Sequence, residues 1–178
     1  MSAAPAPVAA ELFPAGAWRV DPARSVVGFH VRHLRVARVR GRFHEFTGQI
    51  EAGSRLRIVG SVEVASLDTG DRVRDERLLD PSMFDAARHP RIEYQANAAT
   101  PEDGRWRIAG ALTICGVTRP LDLHAKAAPR RDGSILVAAR GQLSRRDFGL
   151  QWNALVEAGT LVVADQVALT VDAVVVPA

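Results

Sequence analysis

The stretch SLDTG, Ser66 to Gly70, carries the Asp-Thr-Gly triplet with which aspartic proteases position a catalytic carboxylate, and the apolar VEVA precedes it as it would there. One triplet per chain is enough for a dimeric protease, because two subunits can each supply one of the two carboxylates that share a proton. The residues after Gly70 point elsewhere. DRVRDERLL is charged and rich in helix formers, with Arg72 and Glu76 at i,i+4, and an Asp or Thr just ahead of such a run is a preferred helix cap. Asp68, Thr69 or Asp71 can cap the first amides of that helix; Asp68 and Thr69 are expected in this role, with catalysis by Asp68 as the competing expectation.

The five histidines raise metal binding. His30 and His33 are three apart in an alternating stretch, which sends them to opposite faces of a strand. His33 and His44 can meet across a hairpin, but no third ligand accompanies them, so no metal or cofactor is expected. Cys115 lies beside Gly116 with no Cys or His at ligand spacing and reads as a small apolar filler. No G-x-S-x-G, strand-linked Gly-rich loop or H-E-x-x-H occurs. LSRRDFGLQW is more informative: Arg145 or Arg146 beside Asp147, then Phe148-Gly149, ends a strand with a charge pair, a large ring and a turn position.

The elements that must position these groups are mostly strands. SVVGFHVRH places Val27, Phe29, Val31 and His33 on one face, RLRIVGSVEV does the same for Leu56, Ile58, Gly60, Val62 and Val64, and RIEYQA pairs Ile92 with Tyr94. RWRIAGALTI, TRPLDLHAKA, SILVAARGQLS and QVALTVDAVVV continue the series, separated by the turn signals EAGS, PEDG, CGVT and RRDG. With WRVD and the stretch from Val39 to Ile50, about eight strands are expected at hairpin spacing, curling into a sandwich or closed barrel that removes exposed edges. Asp71 to Pro90 breaks the alternation and is expected to be helical, with Asp80-Pro81 starting a second short turn that carries Met83 and Phe84, placed to cover one barrel end.

At 178 residues the chain suits one domain, residues 17–178, after an Ala- and Pro-rich flexible tail, residues 1–16. No apolar run reaches the length of a spanning helix, the start does not read as a secretory signal, and a lone cysteine suits a reducing compartment, so a cytoplasmic protein is expected. The high isoelectric point comes from 22 arginines against one lysine, yet the net charge is only +3, so nucleic acid is not an expected partner. Arg38, Arg40 and Arg42 share one strand face, either simply solvated or a patch for anions or a membrane surface.

Several segments in register, W-R-V-D at Trp18, S-V-V-G-F-H-V-R-H at Ser25, G-R-F at Gly41, L-D-T-G at Leu67, R-D-E-R-L-L at Arg74, M-F-D at Met83, H-P-R-I-E-Y at His89, G-A-L-T-I-C-G-V-T-R-P at Gly110 and R-R-D-F-G at Arg145, resemble the YceI-like family of lipocalin-like polyisoprenoid-binding proteins over about Trp18 to Val176. The resemblance implies an all-β fold, an extended eight-stranded antiparallel barrel with a short helical segment at one end. It also implies a homodimer holding a long isoprenoid or similar amphiphile in an apolar channel. Gly28, Gly48, Gly60, Gly110 and Gly141 would leave space inside or permit curvature. Phe29, Val31, Phe43, Ile92, Tyr94, Leu112, Phe148 and Trp152 are the large apolar members of the alternating faces and are expected to line the channel or its core, with His33 on the face of Phe29 and Val31. Arg74, Asp75, Arg145 and Asp147 either meet a phosphorylated head group or pair with one another, Arg74 with Asp147 or Arg145 with Asp75, to pin the helix; the pairing is preferred. The expected function is non-enzymatic carriage or sequestration of a polyisoprenoid, polyprenyl quinone or fatty acid derivative. The rival is a barrel enzyme acting on such a lipid, with His33 as its titratable group.

Overall fold

In a strand every second side chain points the same way, so an alternating sequence can cover one face with apolar groups and leave the other to water. The computed structural model, which describes residues 12–33, 37–151 and 163–178, uses this alternation throughout. Its strands are β1 (Gly16–Val20), β2 (Val26–His33), β3 (Ala37–Phe43), β4 (Phe46–Ala52), β5 (Arg57–Glu63), β6 (Leu67–Asp68), β7 (Arg91–Glu102), β8 (Arg105–Ile114), β9 (Val117–Pro129), β10 (Ile135–Ser144) and β11 (Val163–Pro177), and a short helix, α1, spans Arg72–Leu78. All pairings are antiparallel, and the order β1-β4-β5-β7-β8-β9-β10-β11 closes through β11 pairing with β1 into an eight-stranded barrel.

The remaining strands lengthen the barrel rather than adding to its girth. β11 pairs with β1 through Val175–Pro177 and with β2 through Val163–Asp172, so β1 and β2 behave as one bent strand along the same edge. The bend is fastened locally. Asp21 accepts from the Ala23 N–H at 3.0 Å, Ser25 Oγ donates to the Asp21 carbonyl at 2.6 Å, and the Val174 N–H donates to Ser25 Oγ at 2.9 Å. β3 and β4 are likewise consecutive, and Ser66 secures that corner by accepting the Glu45 N–H at 3.0 Å on its Oγ.

Helix α1 is capped by Asp71, whose side chain accepts from the Arg74 N–H. Of the three candidate caps this selects Asp71 and corrects the expectation for Asp68 and Thr69. An N-cap oxygen must reach the amide two or three positions on, and Asp71 alone stands at that offset from the first turn. Thr69 instead donates its backbone N–H to Asp75, 3.1 Å from each carboxylate oxygen, and accepts from Arg74 Nε at 2.8 Å. Beyond Leu78 the chain makes consecutive turns, with Met83 N–H donating to Asp80 at 2.9 Å and Phe84 N–H to Leu78 at 3.0 Å, which bury Phe84 against the barrel.

Two apolar clusters fill the interior. One gathers Trp18, Ile50, Ile108, Ile135, Val137 and Val175; the other gathers Val31, Phe43, Phe46, Leu112, Leu121, Phe84 and Phe148 at the end covered by α1. Leu12 and Phe13, within the segment read from sequence as a tail, are buried in the first cluster, and the Trp18 indole donates to the Pro14 carbonyl at 3.0 Å. Arg38, Arg40 and Arg42 are exposed on the outer face of β3. Among the described residues no helix is long and apolar enough to cross a membrane.

Candidate ligand channel

The inward faces of the strands leave a cavity of about 260 Å³ running through both clusters, from Phe13 at one end to Phe84 at the other. Phe29, Val31, Phe43, Ile92, Tyr94 and Leu112 all line it. They do so because strand parity, once one residue of a strand is placed inside, places the rest. The Phe29 and Phe43 rings stand 5.8 Å apart at 45° on neighbouring strands. Phe148 is 3% exposed and packs in the apolar cluster around this end. Trp152 and the side chain of His33 lie outside the described residues.

Polar groups are few at this surface. Tyr94 reaches across the barrel wall, its hydroxyl 3.2 Å from the Ile108 carbonyl and 3.3 Å from the Leu121 carbonyl, and burial pushes its pKa up so that it stays a neutral donor. Arg145 also lines the cavity, with a side chain only 9% exposed. Its guanidinium donates to the Leu150 carbonyl at 2.6 Å and the Ala164 carbonyl at 3.3 Å and forms an ion pair with Asp165 at 3.3 Å. Desolvation pulls its pKa down and the Asp165 charge pushes it back up.

The four charged residues singled out in the sequence therefore separate. Arg145 meets Asp165, while Arg74 and Asp75 meet Thr69. Asp147 contributes its backbone carbonyl, which accepts from Arg119 Nε at 3.1 Å. This replaces the expected pairing of Arg74 with Asp147 or Arg145 with Asp75. The hairpin geometry delivers Asp165, at the start of β11, to the turn that ends β10, and that proximity is not visible along the chain. The lining residues missed in the sequence include Phe13, Val20, Leu123, Leu143, Val167 and Leu169. The last four lie on the apolar faces of alternating stretches already identified as strands. Phe13 precedes the first strand and had no periodic signal.

Asp68 sits outside this channel. Its carboxylate faces His44 Nε2 at 2.9 Å and Arg42 at 3.3 Å and accepts from the Gly70 N–H at 2.9 Å. Hydrogen bonding from His44 first, then from Gly70 and Arg42, lowers its pKa to about 2. With an imidazole, a guanidinium and a backbone amide all directed at it, the Asp68 carboxylate has the surroundings of an ionised partner in a surface ion pair. Because the folded value lies below the unfolded one, the group's contribution to stability is present above pH 3.8 and is lost as pH falls toward about 2. Carbon-detected titration of the Asp68 carboxyl should give a midpoint near 2, rising toward the ordinary Asp range in His44→Ala. An unperturbed midpoint in the unsubstituted protein would refute the pairing.

A sequence-family description of the YceI-like domain matches residues 18–175. The chain belongs to the YceI-like family. Similar proteins include a UPF0312 protein of Staphylococcus aureus (strain N315), 26% identical over 157 residues that cover 83% of this chain and 90% of that protein. Another is a UPF0312 protein of Photorhabdus laumondii, 28% identical over 106 residues, covering 56% and 54%. Among solved structures, BcnA of Burkholderia cenocepacia superposes with a TM-score of 0.77 at 22% identity, covering 87% of this chain and 98% of that one. A polyisoprenoid-binding domain from Saccharophagus degradans, implicated in plant cell wall breakdown, gives a TM-score of 0.76 at 18% identity, covering 90% and 98%. The YceI-like fold of this chain is thus the extended barrel with its helical cover.

Proposed function

We propose that this YceI-like protein binds one long-chain apolar lipid, a polyisoprenoid, polyprenyl quinone or fatty acid derivative, inside the barrel and carries or sequesters it chemically unchanged. The observation that carries this reading is the cavity whose lining is almost wholly apolar and includes both Phe13 and Phe84. The binding of a polyisoprenoid by a domain of the same fold supports it. Burial of a chain gains about 0.8 kcal/mol per methylene, so about ten enclosed carbons contribute roughly 8 kcal/mol against an association cost of roughly 4–15 kcal/mol. Among the described lining residues the ionisable groups are Tyr94 and Arg145. The first is kept neutral by burial and the second is engaged with Asp165 and two carbonyls, an arrangement suited to holding a ligand rather than transforming it.

Delipidated protein titrated with the fluorescent fatty acid cis-parinarate should enhance its emission, and a polyprenol should displace it at micromolar or lower concentration. Mass spectrometry of an organic extract, before and after incubation, should return the same lipid. Absence of both enhancement and extractable lipid would overturn the binding reading. A changed lipid would replace it by an enzymatic one.

A further inference from the structure

We infer that three side chains, Val20, Tyr94 and Leu123, form a waist that decides how long a lipid chain the channel accepts, and that facing glycines keep this waist open. The inference rests on the lipid-binding reading above and adds to it the selection of ligand by length.

The two apolar clusters are separate sets of buried residues, yet Val20, Tyr94 and Leu123 pack against both. All three also line the cavity. They therefore stand where the compartment around Phe13 passes into the one around Phe84. Side chains of this size projecting inward from three sides would ordinarily fill an eight-stranded barrel. Here each lies against a glycine of an adjacent strand. A methyl group at Gly48 would lie 2.5 Å from Val20 Cγ2, and one at Gly141 would lie 2.6 Å from Leu123 Cδ2. One at Gly110 would overlap the Tyr94 ring and hydroxyl.

The strand register accounts for these seats. Arg19 pairs with Gln49, which sets Val20 opposite Gly48, and Arg140 pairs with His124, which sets Leu123 opposite Gly141. Tyr94 pairs with Leu112, two residues from Gly110, so its ring crosses the glycine diagonally. The hydroxyl contacts to the Ile108 and Leu121 carbonyls then hold that ring along the wall. Large side chains thus occupy space that a Cβ on the neighbouring strand would otherwise take, an alternation of large and small that fits side chains to a narrow barrel. The lumen at the waist stays passable because the three side chains lie flat.

A short chain can be accommodated in one compartment alone, whereas a long one must thread the waist to occupy both. The variant chosen to close it is Gly141→Ala. The nearest atom its methyl meets is the flexible end of Leu123, with the Asp122 carbonyl at 3.3 Å, while a methyl at Gly110 also meets the Gln95 carbonyl at 2.7 Å and would shift the strands themselves. Leu123 must then swing into the lumen.

The test is displacement of cis-parinarate by prenols of two to eight isoprene units, with melting curves for every variant. Gly141→Ala should keep its affinity for the shortest prenols within about twofold and lose about tenfold or more for the longest. Leu123→Ala added to Gly141→Ala should restore the long-chain affinity. Should Gly141→Ala fail to fold, Leu123→Trp narrows the same point without touching the glycine and should show the same length-selective loss. An unchanged length profile in the folded variants, an equal loss at every length, or no rescue by Leu123→Ala would overturn the waist. If the unsubstituted protein binds no prenol of any length, it is the lipid-binding reading that fails.

Discussion

Arg145→Met should lower the melting temperature by roughly 6–12 °C, corresponding to about 3 kcal/mol for a chain of this size. The guanidinium is almost fully buried at the cavity wall, and its removal leaves the Leu150 and Ala164 carbonyls without their donor. The loss stays at the lower end of the range for breaking a buried ion pair because Arg146 also meets Asp165, at 2.8 Å, and continues to neutralise it. Arg145→Lys should recover only part of the stability, since a single ammonium cannot reproduce the guanidinium fork that spans two carbonyls and a carboxylate. Differential scanning calorimetry decides the matter. A melting temperature within about 2 °C of the unsubstituted protein, together with selective loss of phosphorylated over neutral polyprenyl ligands, would make Arg145 a head-group residue instead.

Phe13→Ala should destabilise the barrel by a similar amount, about 3 kcal/mol, and speed release of a bound lipid. Phe13 is 1% exposed, packs with the cluster around Trp18 and Val175, and lines the cavity there. Truncating it removes buried apolar surface and loosens the packing around the lipid at the same time. A residue in a solvated tail would instead change stability by less than about 0.5 kcal/mol, so chemical denaturation separates the two descriptions cleanly. Dissociation of cis-parinarate tracked by stopped flow would add the kinetic arm, with a faster rate expected in the variant.

Much of this molecule is determined by the order of its residues alone. Period-two alternation is a local property: it requires only that neighbouring side chains point to opposite faces, and so Phe29, Val31, Phe43, Ile92, Tyr94 and Leu112 could be assigned to one interior before any strand pairing was known. The series of alternating strands and the helical break after Gly70 came from the same reasoning, since turn residues and helix formers act within a few positions, whereas the closed eight-stranded barrel was what the family resemblance implied. The resemblance carried by several short segments pointed to the YceI-like family that the match over residues 18–175 shows.

Other features depend on distances that the chain order does not contain. Asp68, Thr69 and Asp71 all have the side-chain chemistry of a cap, and only the backbone path determined that Asp71 reaches the first turn while Asp68 faces Arg42 and His44. Arg145 had Asp147 two positions away, but the β10 to β11 pairing brought Asp165 to it instead. Phe13 carried no periodic signal, because its burial comes from the end of a closed barrel. The waist has the same origin. The sequence contains Val20, Tyr94, Leu123 and their glycines as unrelated points on different strands, and it takes the register of a sheet closed on itself to lay each large side chain over the one residue that has no Cβ to obstruct it.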